Sequence, residues 1–142
     1  MIHYLLDTCI IRNLTKPQPS ASLIAWWSKQ DDESLFISTL MIAEIWRGIL
    51  EMPTGKKRQK LEQWFAGSKG PQNLFAGRVL SFDEKAALAW GEIMAKGKNS
   101  GKPGSATDMM IASIAAANGC IVVTDNEKHF TGIKIVNPLN KQ

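Results

Sequence analysis

The feature that most constrains this chain is an alternation: short apolar runs of strand length, each followed by a stretch with helical periodicity. Residues 2–7 read as a strand, and a short helix begins at Thr8. Pro19-Ser20 opens a second helix carrying Leu23, Ile24, Trp26 and Trp27. LFIST, residues 35–39, is a second strand that leads into a helix over 40–50. KKRQKLEQWFA, 56–66, places Leu61, Trp64 and Phe65 at core spacing. RVLSF, 78–82, is a third strand. Ser81 and Glu84 then stand at capping-box spacing and open a helix to about Lys96. A helix over 106–118 stops at Asn118-Gly119, a common C-terminal pair. CIVVT, 120–124, is a fourth strand and IKIVN, 133–137, a fifth. Strands joined through helices need crossover connections. The expected fold class is therefore α/β, a mainly parallel sheet of about five strands with helices on both faces. No repeat or long linker interrupts the pattern, so residues 1–142 read as a single domain.

The 142 residues can bury a core without staples, and 44% hydrophobic with 21% charged content is ordinary for a globular protein. No apolar run approaches the roughly 20 residues of a membrane span, and neither a basic n-region nor a small-residue cleavage site opens the chain. Cys9 and Cys120 lie in or beside apolar runs, which suggests two reduced thiols and a cytoplasmic location. The net charge of +4 hints at a polyanionic partner. Lys56, Lys57, Arg58 and Lys60 form one basic stretch, and Lys96, Lys98 and Lys102 another. Taken alone, each cluster reads as solvated side chains. KGKNSGKPGS, 96–105, reads as a mobile loop between two helices. Trp26-Trp27 and Trp64-Phe65 have the composition of base-stacking platforms, but on amphipathic helices they read as core or interface residues.

In a parallel α/β sheet, ligands gather at the carboxyl ends of the strands. Four acids sit there by position. Asp7 ends the first strand, Glu44 lies on the helix after the second, Asp108 starts the helix that feeds the fourth, and Asp125 follows that fourth strand at once. Each has a plainer explanation. Asp7 and Thr8 suit a helix cap, Glu44 has Arg47 three residues on, Asp108 follows Ser105 at capping-box spacing, and Asp125-Asn126 is ordinary turn chemistry. Glu44, however, sits among Ile42, Ala43, Ile45 and Trp46, an unusually apolar setting for a solvated carboxylate. Carboxylates converging at one edge repel one another unless a cation neutralises them, and Mg²⁺ does so while keeping several waters. His3, Cys9, Cys120 and His129 show no spacing of the usual structural zinc kind.

YLLDTCI, ISTLMIAEIWRGI, SATDMMIASIAAANG and CIVVTDNEKHF resemble, in order and spacing, the four acidic blocks of PIN-domain ribonucleases of the VapC toxin type. The resemblance spans nearly the whole chain. It implies a three-layer α/β/α fold, a Mg²⁺- or Mn²⁺-dependent endoribonuclease, a homodimer, and a cognate antitoxin that blocks the site. Carried over by position, Asp7, Glu44 and Asp108 match the first three acids, with Asp7 and Asp108 as metal ligands. Two positions depart from the pattern. The first block usually reads Asp-Thr-Asn, where this chain has Cys9. The fourth polar position usually falls two residues after the threonine, at Asn126, whereas the acid is Asp125. Asp125 is taken as the contributor because it alone carries charge, with Asn126 open as the alternative.

The mechanism so implied is hydrolysis of an RNA phosphodiester. Asp7 and Asp108 hold the ion, Glu44 and Asp125 orient the attacking water, and the products are a 5′-phosphate and a 3′-hydroxyl. Lysines grip the backbone, and the loop over 96–105 forms a basic lip to the site. Single-stranded or looped RNA is the expected target. A phosphoacceptor signalling domain would need an acidic pair after its first strand and a lysine after its last, and YLLDT and IVNPL offer neither. A nucleic-acid-binding module with merely capping acids would tolerate Asp7→Asn and need no metal.

Overall fold

A computed structural model describes residues 1–101 and 104–139. The chain runs β1 (His3–Leu6), α1 (Thr8–Leu14), α2 (Ala21–Ser28), β2 (Leu35–Ser38), α3 (Thr39–Leu50), α4 (Lys56–Ala66), α5 (Pro71–Leu74), β3 (Val79–Leu80), α6 (Glu84–Asn99), α7 (Ala106–Ala117), β4 (Cys120–Val123) and β5 (Ile135–Val136). Short 3₁₀ turns precede β2, at Asp32–Ser34, and follow β4, at Glu127–Phe130. The five strands form one parallel sheet in the order β3-β2-β1-β4-β5. The three-layer α/β/α arrangement expected from the alternation is present.

The period-2 geometry of a strand explains the layers. Leu5 and Val122 face one side of the sheet, where Ala86 of α6 and Met109, Ile111, Ala112, Ile114 and Ala115 of α7 cover them. Leu6 and Val123 face the other, beneath Ile10 and Ile11 of α1, Leu23 of α2, Met41 of α3 and Phe75. Burying each of these leucines is worth roughly 1.5–3 kcal/mol, against about 1 kcal/mol for a typical hydrogen bond. The central strands are thus anchored by packing, and the polar groups at their ends are carried on a rigid base.

β1 connects to β2 and β3 on one side, and the chain then crosses to β4 and β5 on the other. The switch of direction falls between β1 and β4, where such sheets open a crevice at their carboxyl ends. There the Asp7 N–H donates to the Val123 carbonyl at 2.9 Å, and the Thr124 N–H donates to the Val136 carbonyl at 3.0 Å. Ser38 ends β2 and caps α3, its hydroxyl accepting from the Met41 N–H at 3.1 Å.

Several boundaries differ from the sequence reading. The third and fifth strands are two residues each, because neighbouring residues find no ladder partner at the sheet margins. Asp83, rather than Ser81, caps α6, because the helix begins at Glu84 and Asp83 occupies the position just before it, its carboxylate accepting from the Ala86 N–H at 3.0 Å. The expected loop over 96–105 begins as helix, because α6 runs on to Asn99. Lys102 and Pro103 lie outside the described residues. The Ser105 cap is as expected, with its hydroxyl accepting from the Asp108 N–H at 3.3 Å. Gly119 closes α7 with φ +66°, a conformation that L side chains rarely adopt.

Candidate active site

Asp7 occupies the crevice between β1 and β4 and is only 5% exposed. Its Oδ1 accepts from the Thr8 N–H at 2.8 Å, and its Oδ2 accepts from the Thr124 hydroxyl at 2.8 Å. The Cys9 thiol adds a longer contact to Oδ2 at 3.8 Å and lies 3.6 Å from Thr124 Oγ1. Burial raises the Asp7 pKa above its ordinary value, against the opposing pull of the Thr124 and Thr8 hydrogen bonds, and the Asp108 charge raises it further. Asp7 is therefore both helix cap and buried acid, so the two explanations of this residue coexist.

Glu44 projects from the second turn of α3. The Thr8 hydroxyl donates to its Oε1 at 3.0 Å, linking the first two acids through one residue. Burial again raises its pKa first, partly offset by Thr8, with Asp7 and Asp108 adding to the rise and Arg12 drawing it down. The ion pair considered for Glu44 is absent: Arg47 bonds Glu51 at 3.0 Å instead, on an exposed face where an i,i+4 pair is easily formed.

Asp108, in the first turn of α7, is the third member, near enough for its charge to raise both other acids. Its Oδ2 lies 3.1 Å from Nδ1 of His129, which occupies the 3₁₀ turn after β4. Phe130, 1% exposed, pins that turn into the core beside α7. Asp125 is exposed on the turn after β4. It lies beside Cys9, helping burial push that thiol up to about 12. Asn126 is likewise exposed, its N–H donating to Thr124 Oγ1 at 3.0 Å. At neutral pH Cys9 is thus a neutral thiol packed against Asp7, a weaker donor than the amide usual at this position.

Among the described residues, no three His, Cys, Asp or Glu side chains form a tight ligand cage. The donor chemistry nonetheless suits a hard ion: Asp7, Glu44 and Asp108 offer only oxygen, and two of them have pKa values lifted partly by their neighbours' charge. Mg²⁺ needs only one or two direct carboxylates and keeps its other waters, so a loose set suffices.

Three participants had weak sequence signals. Thr124 follows from the β1–β4 register, since Leu6 opposite Val123 places the next residues, Asp7 and Thr124, side by side. Thr8 was visible only as a capping partner. His129 had no local signal, because its approach to Asp108 depends on where Phe130 docks.

The aromatic pairs lie largely in packing. Trp26 meets Tyr4 edge-on at 5.1 Å and Phe65 stacks on Trp46 at 4.8 Å, while Trp27 and Trp64 pack against the second core. Of the basic residues, Arg58 donates to the Met52 carbonyl and approaches Glu62 at 3.7 Å, whereas Lys56, Lys57, Lys60, Lys96 and Lys98 are exposed. No helix among the described residues is long and apolar enough to cross a membrane.

An acidic crevice at the switch point of a five-stranded parallel sheet, covered by helices on both faces, defines a class. The PIN domain family model matches residues 4–134, and the chain belongs to the PIN-domain family. VapC ribonuclease Y4jK of Sinorhizobium fredii is 37% identical to it over 135 residues, covering 94% of this chain and 95% of that protein. Toxin FitB of Neisseria gonorrhoeae is 33% identical over 136 residues, covering 94% and 96%. The solved structure of FitAB bound to an IR36 DNA fragment matches with a TM-score of 0.89 at 31% identity, over 98% of this chain and 97% of that one. The resemblance to VapC-type PIN proteins read from the four acidic blocks is therefore borne out.

Proposed function

We propose that this protein is a divalent-metal-dependent endoribonuclease and the toxin member of a toxin–antitoxin pair. The carrying observation is the meeting of Asp7, Glu44 and Asp108 at one sheet edge, where burial and mutual charge raise the pKa of the first two. Relatives named as a ribonuclease and as a toxin support the reading.

In this reading Asp7 and Asp108 hold Mg²⁺ or Mn²⁺, which when bound neutralises the acids and stabilises charge on the phosphate. Thr8, Thr124 and Cys9 keep Asp7 in one orientation, and His129 does the same for Asp108. Glu44, steered by Thr8, orients the attacking water. Its raised pKa brings it closer to the range that suits a proton acceptor. Asp125 acts from the exposed rim, contributing charge near the entering water and Cys9. Attack by water leaves a 5′-phosphate and a 3′-hydroxyl. The exposed lysines hold the RNA backbone in a salt-sensitive manner.

The remaining assignments belong to the same proposal. The whole of 1–142 acts as one PIN-like domain in the cytoplasm, as a homodimer. A cognate antitoxin blocks the crevice, a partner supported by the likeness to FitAB.

The test compares wild type with Asp7→Asn on a small structured RNA, in Mg²⁺ and then in EDTA, with the product ends identified. The expected result is cleavage to 5′-phosphates that vanishes in EDTA and falls more than about 100-fold in the variant, beyond the effect of losing an outer hydrogen-bond partner. RNA binding without cleavage in any metal, unchanged in the variant, would reduce the acids to caps.

A further inference from the structure

A cavity of about 340 Å³ lies between the end of α6 and the segment that follows the second 3₁₀ turn. Ile93, Met109 and Ile133 form apolar walls, with Lys96 and Thr131 contributing polar groups. Met109 directly follows Asp108, and Thr131 stands two residues beyond His129, whose ring contacts Asp108. The cavity therefore adjoins the acidic crevice. Gly104 lies against Met109 so closely that an added Cβ would come within 2.8 Å of the methionine Cγ. Any larger residue there would require the Met109 thioether to move. The lining includes a lysine and, among the described residues, no carboxylate.

We infer that this cavity receives one unpaired base of the RNA beside the scissile bond, while Lys96 meets the adjoining phosphate. The inference rests on the nuclease reading of the acidic crevice and names the feature of the substrate recognised next to it. An apolar slot with a thioether wall suits a flat aromatic ring, since methionine sulfur packs favourably against such rings. Hydroxyl groups at the rim suit a base edge. A cation beside the slot, with no acid in its lining, suits a ligand that carries a phosphate on each side. The volume lies within the range of small-ligand sites. Only an unpaired base can leave its stack to enter, so the recognised element is a loop, bulge or single strand.

The experiment uses two substitutions at exposed positions, Thr131→Trp to fill the slot and Lys96→Glu to reverse its charge. A randomised RNA pool is cleaved and the ends sequenced, and KM is measured on one preferred RNA and on the same RNA with a single abasic nucleotide stepped past the cut. Thermal unfolding in EDTA checks that each variant keeps its fold. For wild type, a base preference is expected at one position beside the cut, and removing that base is expected to raise KM about 5- to 100-fold, the range of a single base contact. Thr131→Trp should abolish that preference and become indifferent to the abasic substitution. Lys96→Glu should raise KM for all sequences alike and reduce the salt slope by about one unit. If wild type cleaves RNA but both variants retain its base preference and KM, the subsite is refuted and the nuclease reading stands, leaving a side chain of a protein partner as the alternative occupant. If wild type cleaves no RNA in Mg²⁺ or Mn²⁺, the nuclease reading itself fails and this one with it.

Discussion

The crevice has two unlike halves. On the β1–α3 side, Asp7 is almost fully buried and its two oxygens are held by Thr8, Thr124 and Cys9, while Glu44 is steered by Thr8. On the α7–β4 side, the Asp108 side chain is 20% exposed, His129 is 58% exposed, and Asp125 lies at the surface. The first half is preorganised by the core and strained electrostatically; the second meets solvent, and there His129 Nδ1 lies 3.1 Å from the Asp108 carboxylate. Under the proposed nuclease reading, the buried half would hold the ion and the exposed half would meet the substrate. The difference also predicts that removing the buried charge itself raises stability while activity falls, and that changes on the exposed half leave stability nearly untouched.

The strongest way to break this comparison is Asp7→Asn. A carboxyl whose native pKa lies above its unfolded value binds protons more tightly in the folded state. The metal-free protein therefore loses stability as pH rises through the raised values of Asp7 and Glu44, and regains it as pH falls through them. The amide removes the buried charge, so Asp7→Asn should unfold at a higher temperature than wild type at neutral pH in EDTA, with the gap closing toward acid pH, even as cleavage is lost. Thermal melts across pH check this; a variant less stable at every pH would show that Asp7 stabilises the fold mainly as a cap.

Thr124→Val sharpens the same half. It removes a hydroxyl that donates to a buried carboxylate, at a cost of about 1.5–3 kcal/mol at neutral pH. The deficit should shrink as acid protonates Asp7, because the lost bond favours the charged form. Denaturant unfolding at two pH values measures it, and a deficit independent of pH would indicate a packing defect instead.

The smallest effect is expected on the exposed half. His129→Ala should leave stability within about 0.5 kcal/mol, as for a surface change. It should nevertheless weaken Mn²⁺ binding roughly tenfold by freeing the Asp108 carboxylate. His129→Asn, which retains an N–H donor, should recover part of that affinity. Calorimetric titration with Mn²⁺ reads the difference directly, and unchanged affinity in both variants would remove His129 from the site.

Much of this was legible in the sequence where the signal is local. The alternation of apolar runs reported the layers, because periodicity is written residue by residue. Ser105 and Gly119 marked the ends of α7 through cap chemistry that needs only neighbours. Strand-to-helix order placed Asp7, Glu44, Asp108 and Asp125 at one edge; the structure couples the first three by charge and leaves Asp125 exposed beside Cys9. Differences came at the cap of α6, where the helix starts at Glu84 so that Asp83 holds the cap position, and at the sheet margins, where β3 and β5 keep two residues each.

By itself, then, the sequence determined a parallel α/β sheet and the identity of the acids gathered at its carboxyl edge, because hydrophobic period and chain direction are local properties that survive without coordinates. Only the tertiary structure decided that Thr124 and Cys9 share Asp7, that Asp125 stays at the surface, and that His129 reaches Asp108. Those outcomes depend on the β1–β4 register and on the docking of Phe130, contacts between residues far apart in the chain whose free energy is set by packing.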